Sequence, residues 1–106
     1  MTDGGLMVRH IVTWNFKDGF SDDENRRNAL TLKTELENLK GTIEGIVELE
    51  VHVNALPSSN RAVALNSLFV SEEALAAYQV HPEHKRVGEF VAAVLRDRAC
   101  IDYHEG

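Results

Sequence analysis

Groups able to do chemistry gather around one short run, Tyr78-Gln79-Val80-His81-Pro82-Glu83-His84. A neutral imidazole can take a proton from the carbon beside a carbonyl, and a phenol can hold or polarise the enolate oxygen that results. Tyr78 and His84 are six residues apart across the His81-Pro82 break. The chemistry works only if the fold brings them within hydrogen-bond reach. The competing reading is structural: Tyr78 packs beneath a sheet, and His81 or His84 fastens a helix corner by a side-chain-to-backbone bond. A further histidine, His10, lies on an apolar strand face. Such a residue is commonly a satisfied core or pocket-wall group. Together with His84 it would mark a polar spot in an apolar cavity, the usual form of a small-molecule site.

Metal binding is weighed because His81 and His84 are three apart. Two ligands are too few for a closed zinc site. Asp102 or His104 would have to join them, and no compact three-ligand spacing exists, so the expectation is no metal and no other cofactor. Cys100 is the single cysteine, which excludes an intrachain disulfide. Its apolar neighbours suggest a small buried hydrophobe, and nothing local offers the cationic setting of a reactive thiolate.

The elements that must position these groups follow from periodicity. Met7–Lys17 reads as a strand, with Val8, His10, Val12, Trp14 and Phe16 on one face and the β-branched Ile11 and Thr13 on the other. Ser21 and Glu24 have capping-box spacing. The helix they open carries Ala29, Leu32, Leu36, Leu39 and Ile43 as one stripe, with Gly41 as its stop. Gly45 leads into a strand over Ile46–Val53 that alternates apolar residues with Glu48, Glu50 and His52. Pro57-Ser58-Ser59 marks a loop, and Arg61–Val70 is a third strand. Ser71 caps a short helix that ends at His81, because proline disfavours helix in the residue before it. Pro82 suits the first turn of another helix, whose buried face is Val87, Phe90, Val91, Val94 and Leu95. The last strand spans Arg98–Tyr103.

Composition narrows the function classes. The chain has 106 residues, 43% hydrophobic and 26% charged, which suits one globular domain. Its expected extent is 7–104, with a flexible leader at 1–6 and a tail at 105–106. A net charge of −6 argues against nucleic acid or an anionic membrane as partner. No apolar run approaches the length of a membrane span, and no signal peptide is recognised, so the expected location is cytoplasmic.

Strand, helix, strand, strand, helix pair, strand is the ferredoxin-like split βαβ order, an α+β class with a four-stranded antiparallel sheet. Its helices cover one face. The other face reads as largely apolar, and a second copy packed sheet against sheet would bury both with two-fold symmetry. Asp102-Tyr103 would then anchor the last strand at the dimer seam, the carboxylate accepting backbone hydrogen bonds.

The run Ala76-Ala77-Tyr78-Gln79-Val80-His81-Pro82-Glu83-His84 resembles the signature of the stress-responsive dimeric α/β-barrel (Dabb) family. Arg9-His10-Ile11-Val12, Phe16-Lys17-Asp18-Gly19, Ile43-Glu44-Gly45-Ile46, Phe69 and Asp102-Tyr103 match in order, so the resemblance spans nearly the whole chain. It implies a homodimer whose two sheets form a barrel, and no single activity. One plant branch contains metal-free polyketide cyclases, which use a histidine matching His84, assisted by a tyrosine matching Tyr78, with a histidine matching His10 near the pocket. This sequence departs from them at Val63, where they carry another histidine, and at Asn28-Ala29, where aromatic residues shape their tunnel. The resemblance thus implies His84 and Tyr78 as candidate catalytic residues, and His10 and His81 as candidate ligand-binding residues. Three functions stay open: a small apolar or aromatic ligand bound in the barrel, a cofactor-free cyclase, isomerase or lyase, and a structural or assembly role without ligand.

Overall fold

The computed structural model describes residues 6–105, so residues 1–5 of the expected leader at 1–6, and Gly106 of the tail, lie outside the described residues. The elements are β1 (Met7–Phe16), α1 (Asp22–Asn38), β2 (Ile46–His52), β3 (Val63–Phe69), α2 (Glu72–Val80), α3 (Pro82–Val94) and β4 (Leu95–Glu105). The four strands form one antiparallel sheet in the order β2-β3-β1-β4. Chain neighbours β2 and β3 make the expected hairpin, and β1 threads between β3 and β4.

Local chemistry explains the helices. Ser21 Oγ accepts from the Glu24 N–H at 3.1 Å, and Glu24 Oε1 accepts from the Ser21 N–H at 2.8 Å, so the capping box closes. The stripe Ala29, Leu32, Leu36, Leu39 and Ile43 is buried throughout. Each such leucine contributes about 1.5–3 kcal/mol by leaving water. α1 runs into a tighter turn at Leu39–Gly41, and the left-handed residue is Gly45, with φ of 93°. A side chain at Gly45 would put its Cβ 2.7 Å from the Ala74 Cβ of α2, so this close crossing requires glycine.

α1 also guards an edge. Val51 of β2 has no strand beyond it; its N–H donates to Glu37 Oε2 at 2.9 Å, and its carbonyl accepts from Lys33 Nζ at 2.8 Å. Two unpaired backbone groups of an edge strand are thereby satisfied by side chains.

The sheet has two unlike faces. Val8, His10, Val12 and Trp14 of β1 join Leu49, Val51, Val63, Leu65 and Phe69 beneath the helices. Strand register puts Arg9, Ile11 and Thr13 on the open face, beside Ala64, Asn66 and Leu68 of β3 and Ala99, Ile101 and Tyr103 of β4. Ile101 is 59% exposed and Tyr103 43%. The largely apolar open face expected from sequence is found over these three strands only; β2 adds Glu48, Glu50 and His52, all exposed.

β4 differs most from expectation. It begins at Leu95, directly from the end of α3 and without a loop, and it runs to Glu105, which pairs with Met7. Asp97, in a left-handed conformation (φ 59°), and Arg98 together face Trp14, forming a bulge. As an edge strand, β4 is poorly covered by the helices, and Cys100 is exposed rather than buried.

Candidate functional site

Three elements meet around one aromatic cluster. Tyr78, near the end of α2, is almost wholly buried. His84, in the first turn of α3, stacks on it with ring centroids 4.4 Å apart and a 53° tilt. Pro82 makes that approach possible: it forces His81 into extended backbone (φ −64°, ψ 136°), so the chain turns sharply between the two helices. His10, from the centre of β1, meets Tyr78 edge-on at 6.3 Å and Phe69 at 6.2 Å.

The rings of His10, Tyr78 and His84 line a cavity of about 510 Å³ between the sheet and α3, within a single chain. Val12, Trp14, Leu36 and Leu65 form apolar wall. Lys17, Arg96 and Arg98, with Asp97, line its exposed part, so cations outnumber the acid there. The space lies on the helix-covered face, not on the open face that a partner sheet would cover.

The electrostatics of the cluster follow from burial. Burial pushes the Tyr78 hydroxyl up to about 12, so it is a phenol and a donor at neutral pH. Burial also lowers the His84 pKa below the ordinary imidazole value, with further lowering from His10, Arg98 and His81. The Gln79 backbone opposes this by favouring the cation, yet no hydrogen bond of full geometry reaches His84 Nδ1 among the described residues. His84 is thus a neutral imidazole with a buried nitrogen left over. Such an orphan is costly in a structure that could have paired it.

The other histidines are occupied. His10 Nδ1 and Asp102 Oδ1 are 2.5 Å apart, and His10 is only 4% exposed. A carboxylate accepts and does not donate, so Nδ1 carries the proton of this hydrogen bond. Asp102, expected to accept backbone hydrogen bonds, thus has a side chain as partner instead. His81 does not line the cavity. Its Nδ1 accepts from the Glu83 N–H at 3.0 Å and caps α3, the corner-fastening role weighed above. Val63 packs in the core beside Trp14 in register, away from the cavity wall.

Sequence reasoning did not connect Cys100 and Asp102 to His10. They stand at alternate positions of β4, and the only signal is strand register, which sets Asp102 opposite His10 and Cys100 opposite Val12.

The family model for the stress responsive A/B barrel domain, Dabb, matches residues 8–105. The chain belongs to the Dabb family. A dimeric ferredoxin-like protein of unknown function from Bacteroides fragilis is 32% identical, with 93% of this chain and 96% of that one covered and a TM-score of 0.86. A Dabb family protein from Mesorhizobium loti is 23% identical over 92% and 95% of the two chains, with a TM-score of 0.71. A hydroxynitrile lyase from Passiflora edulis shares the fold at 16% identity, covering 96% and 95%, with a TM-score of 0.80. No curated protein matches the chain. This Dabb domain is therefore an α+β ferredoxin-like fold whose solved relatives include a dimer, and whose biochemical activity is undefined. Among the described residues, no helix is long and apolar enough to cross a membrane.

Proposed function

We propose that this Dabb domain is a homodimer whose chains each bind a small, largely apolar or aromatic molecule in the cavity between sheet and helices. The cavity carries this reading: about 510 Å³ falls inside the roughly 300–1,000 Å³ typical of small-molecule sites. The inner wall is apolar apart from His10, Tyr78 and His84, which suits a ligand with a carbonyl or hydroxyl on an apolar body. The cationic residues of the exposed part favour a ligand that also bears an acidic group. Exposed Ile101 and Tyr103, with Ile11 beside them, support pairing through the open sheet face, as does the dimeric state described for the Bacteroides fragilis relative.

The test uses the protein's single tryptophan. Trp14 lines the cavity, so its fluorescence should be quenched as anilinonaphthalene sulfonate, an aromatic anion, is titrated in. Gly88 also lines the cavity, and nothing stands within 4 Å of where its Cβ would be. Gly88→Leu fills that space and favours the helix. It should weaken the probe at least about tenfold, a loss of about 1.4 kcal/mol. Equal binding by Gly88→Leu would place the probe elsewhere and sink the proposal.

A second reading rests on the His84 imidazole, neutral and lining the cavity beside the Tyr78 phenol. In it, neutral His84 removes a proton α to a ligand carbonyl while Tyr78 donates to the oxygen, as in an isomerase, cyclase or lyase step. The Passiflora edulis enzyme is named a lyase, and its likeness to this chain extends to the fold alone. Exchange of the methyl protons of an aryl methyl ketone for deuterium, followed by NMR, tests this directly. The wild type should accelerate exchange and His84→Ala should not; equal rates in both would rule His84 out as the base.

A further inference from the structure

His10, Cys100 and Asp102 come together through strand pairing alone. Asp102 faces His10 across the β1–β4 ladder, and Cys100 lies two residues back on the same face of β4. One ligand-capable atom from each residue lies within 4.8 Å of the other two. The Cys100 Sγ is 3.7 Å from His10 Nδ1 and 3.6 Å from Asp102 Oδ1. We propose that these three side chains form a binding site for a zinc-class divalent cation, with the fourth position left to water.

The distances favour coordination over coincidence. Bonds of about 2.3 Å to sulfur and about 2.0–2.1 Å to nitrogen or oxygen, at tetrahedral angles, put S···N and S···O edges near 3.6 Å. Both observed sulfur edges match. The third edge, His10 to Asp102, is 2.5 Å because a proton holds the two together. With an ion in place of that proton, it must open to about 3.4 Å. Asp102 can make that move, since it is exposed on an edge strand. His10 cannot and need not: its ring is buried between Phe69 and Tyr78, and its carbonyl is held by the Ser67 hydroxyl at 2.8 Å. One rigid ligand and two mobile ones from an open edge leave an entry path for the ion.

The donor set selects the ion class. Thiolate, imidazole and carboxylate together suit zinc or cobalt, and the sulfur disfavours magnesium and calcium. Binding balances as follows. The Cys100 thiol proton leaves to solvent, and the imidazole proton shifts from Nδ1 to Nε2 so that Nδ1 can bond the ion. Two anionic ligands then neutralise the divalent charge. Burial and Asp102 hold the Cys100 thiol above its ordinary value against the pull of nearby Arg98, so the ion itself must displace the thiol proton. The site shares His10 with the cavity wall, while Cys100 and Asp102 stand outside the cavity lining, so the ion can bind whether or not the cavity is filled.

Cobalt reports the site. Tag-free protein, stripped with chelator and kept reduced, should bind one Co²⁺ per chain. The bound ion should show the intense visible bands of four-coordinate cobalt and a near-ultraviolet thiolate charge-transfer band, both bleached by one equivalent of Zn²⁺. The chain has a single cysteine, so that band can come only from Cys100. Cys100→Ser, at an exposed position, should fold normally, lose the band and weaken Zn²⁺ at least about tenfold. Asp102→Asn should weaken Zn²⁺ while keeping the band. Gly88→Leu should leave the cobalt spectrum unchanged, so failure of the cavity reading and failure of this one show separately. Cobalt that gives only the spectrum of the hydrated ion, or Zn²⁺ affinity unchanged in Cys100→Ser, would overturn the proposal.

Discussion

Arg9 and His10 are neighbours in the chain and project from opposite faces of β1. On the open face, the Arg9 guanidinium donates to Glu105 Oε1, Glu48 Oε1 and Asn66 Oδ1, each at 2.9 Å, so one side chain ties all four strands together. Paired with two carboxylates, its pKa rises further, and the charge is permanent. On the helix face, His10 has Asp102 and a nearby thiol, and beyond Tyr78 stands His84, with a buried nitrogen that bonds nothing among the described residues. The open-face network is paired at the solvent edge, while the helix face pairs His10 but leaves His84 Nδ1 without a full hydrogen bond among the described residues. A paired network stabilises, whereas a weakly paired buried group is retained at a cost. That contrast separates the structural face from the functional one.

The largest effect should come from breaking the open face as an interface. Ile101→Lys places a charge amid the exposed apolar patch of β4 and should raise the dimer dissociation constant by more than about 100-fold, roughly 2.7 kcal/mol. Sedimentation across a concentration series reads this. A variant that still dimerises like the wild type would move the seam to another surface.

The stability contrast comes next. Arg9→Met removes several charge-assisted hydrogen bonds to half-exposed partners and should lower the urea midpoint measurably at fixed protein concentration. His84→Leu removes an orphaned polar atom and should cost nothing, or stabilise. Equal losses in both variants would mean that His84 is as structural as Arg9, and the distinction between the faces would collapse.

The smallest effect is in pH. Burial lowers the native pKa of His84 below its ordinary 6.5, so the unfolded chain binds this proton first as pH falls. Its contribution is therefore full above about pH 6.5 and declines below that, by less than about 1.4 kcal/mol per pH unit, until the native pKa is passed. Glu37 and Glu105 also have lowered pKa values, but they act below the carboxylate value of 4.5. Urea midpoints between about pH 6.5 and 5 should fall in the wild type and stay flatter in His84→Leu. Parallel slopes would assign the decline to other groups.

Much of the fold could be read locally. The Ser21–Glu24 box, the α1 stripe, the Ser71 cap and the His81-Pro82 break all depend on residues within a few positions of one another. The run around His81-Pro82 names His84 and Tyr78 as candidates, but their contact at 4.4 Å depends on how α2 and α3 cross and is not legible in it. The hidden parts are non-local. Leu95 reads as the next turn of an apolar helix stripe, and only its pairing with Phe16 makes it strand. Cys100 reads as core because its neighbours are apolar, but exposure depends on β4 being an edge. Glu37 and Lys33 look like an ordinary helix pair, yet they also close the edge of β2.

By itself, then, the sequence determined the order of elements, their caps and breaks, the buried stripe of each helix and the family. These depend on backbone preference and on periods of two and 3.6 residues, which are short-range properties. Tertiary structure decided that residues 10 and 102 stand side by side and that Cys100 is exposed beside them. Strand order and register set those facts by joining positions some ninety residues apart, and no local pattern carries that information.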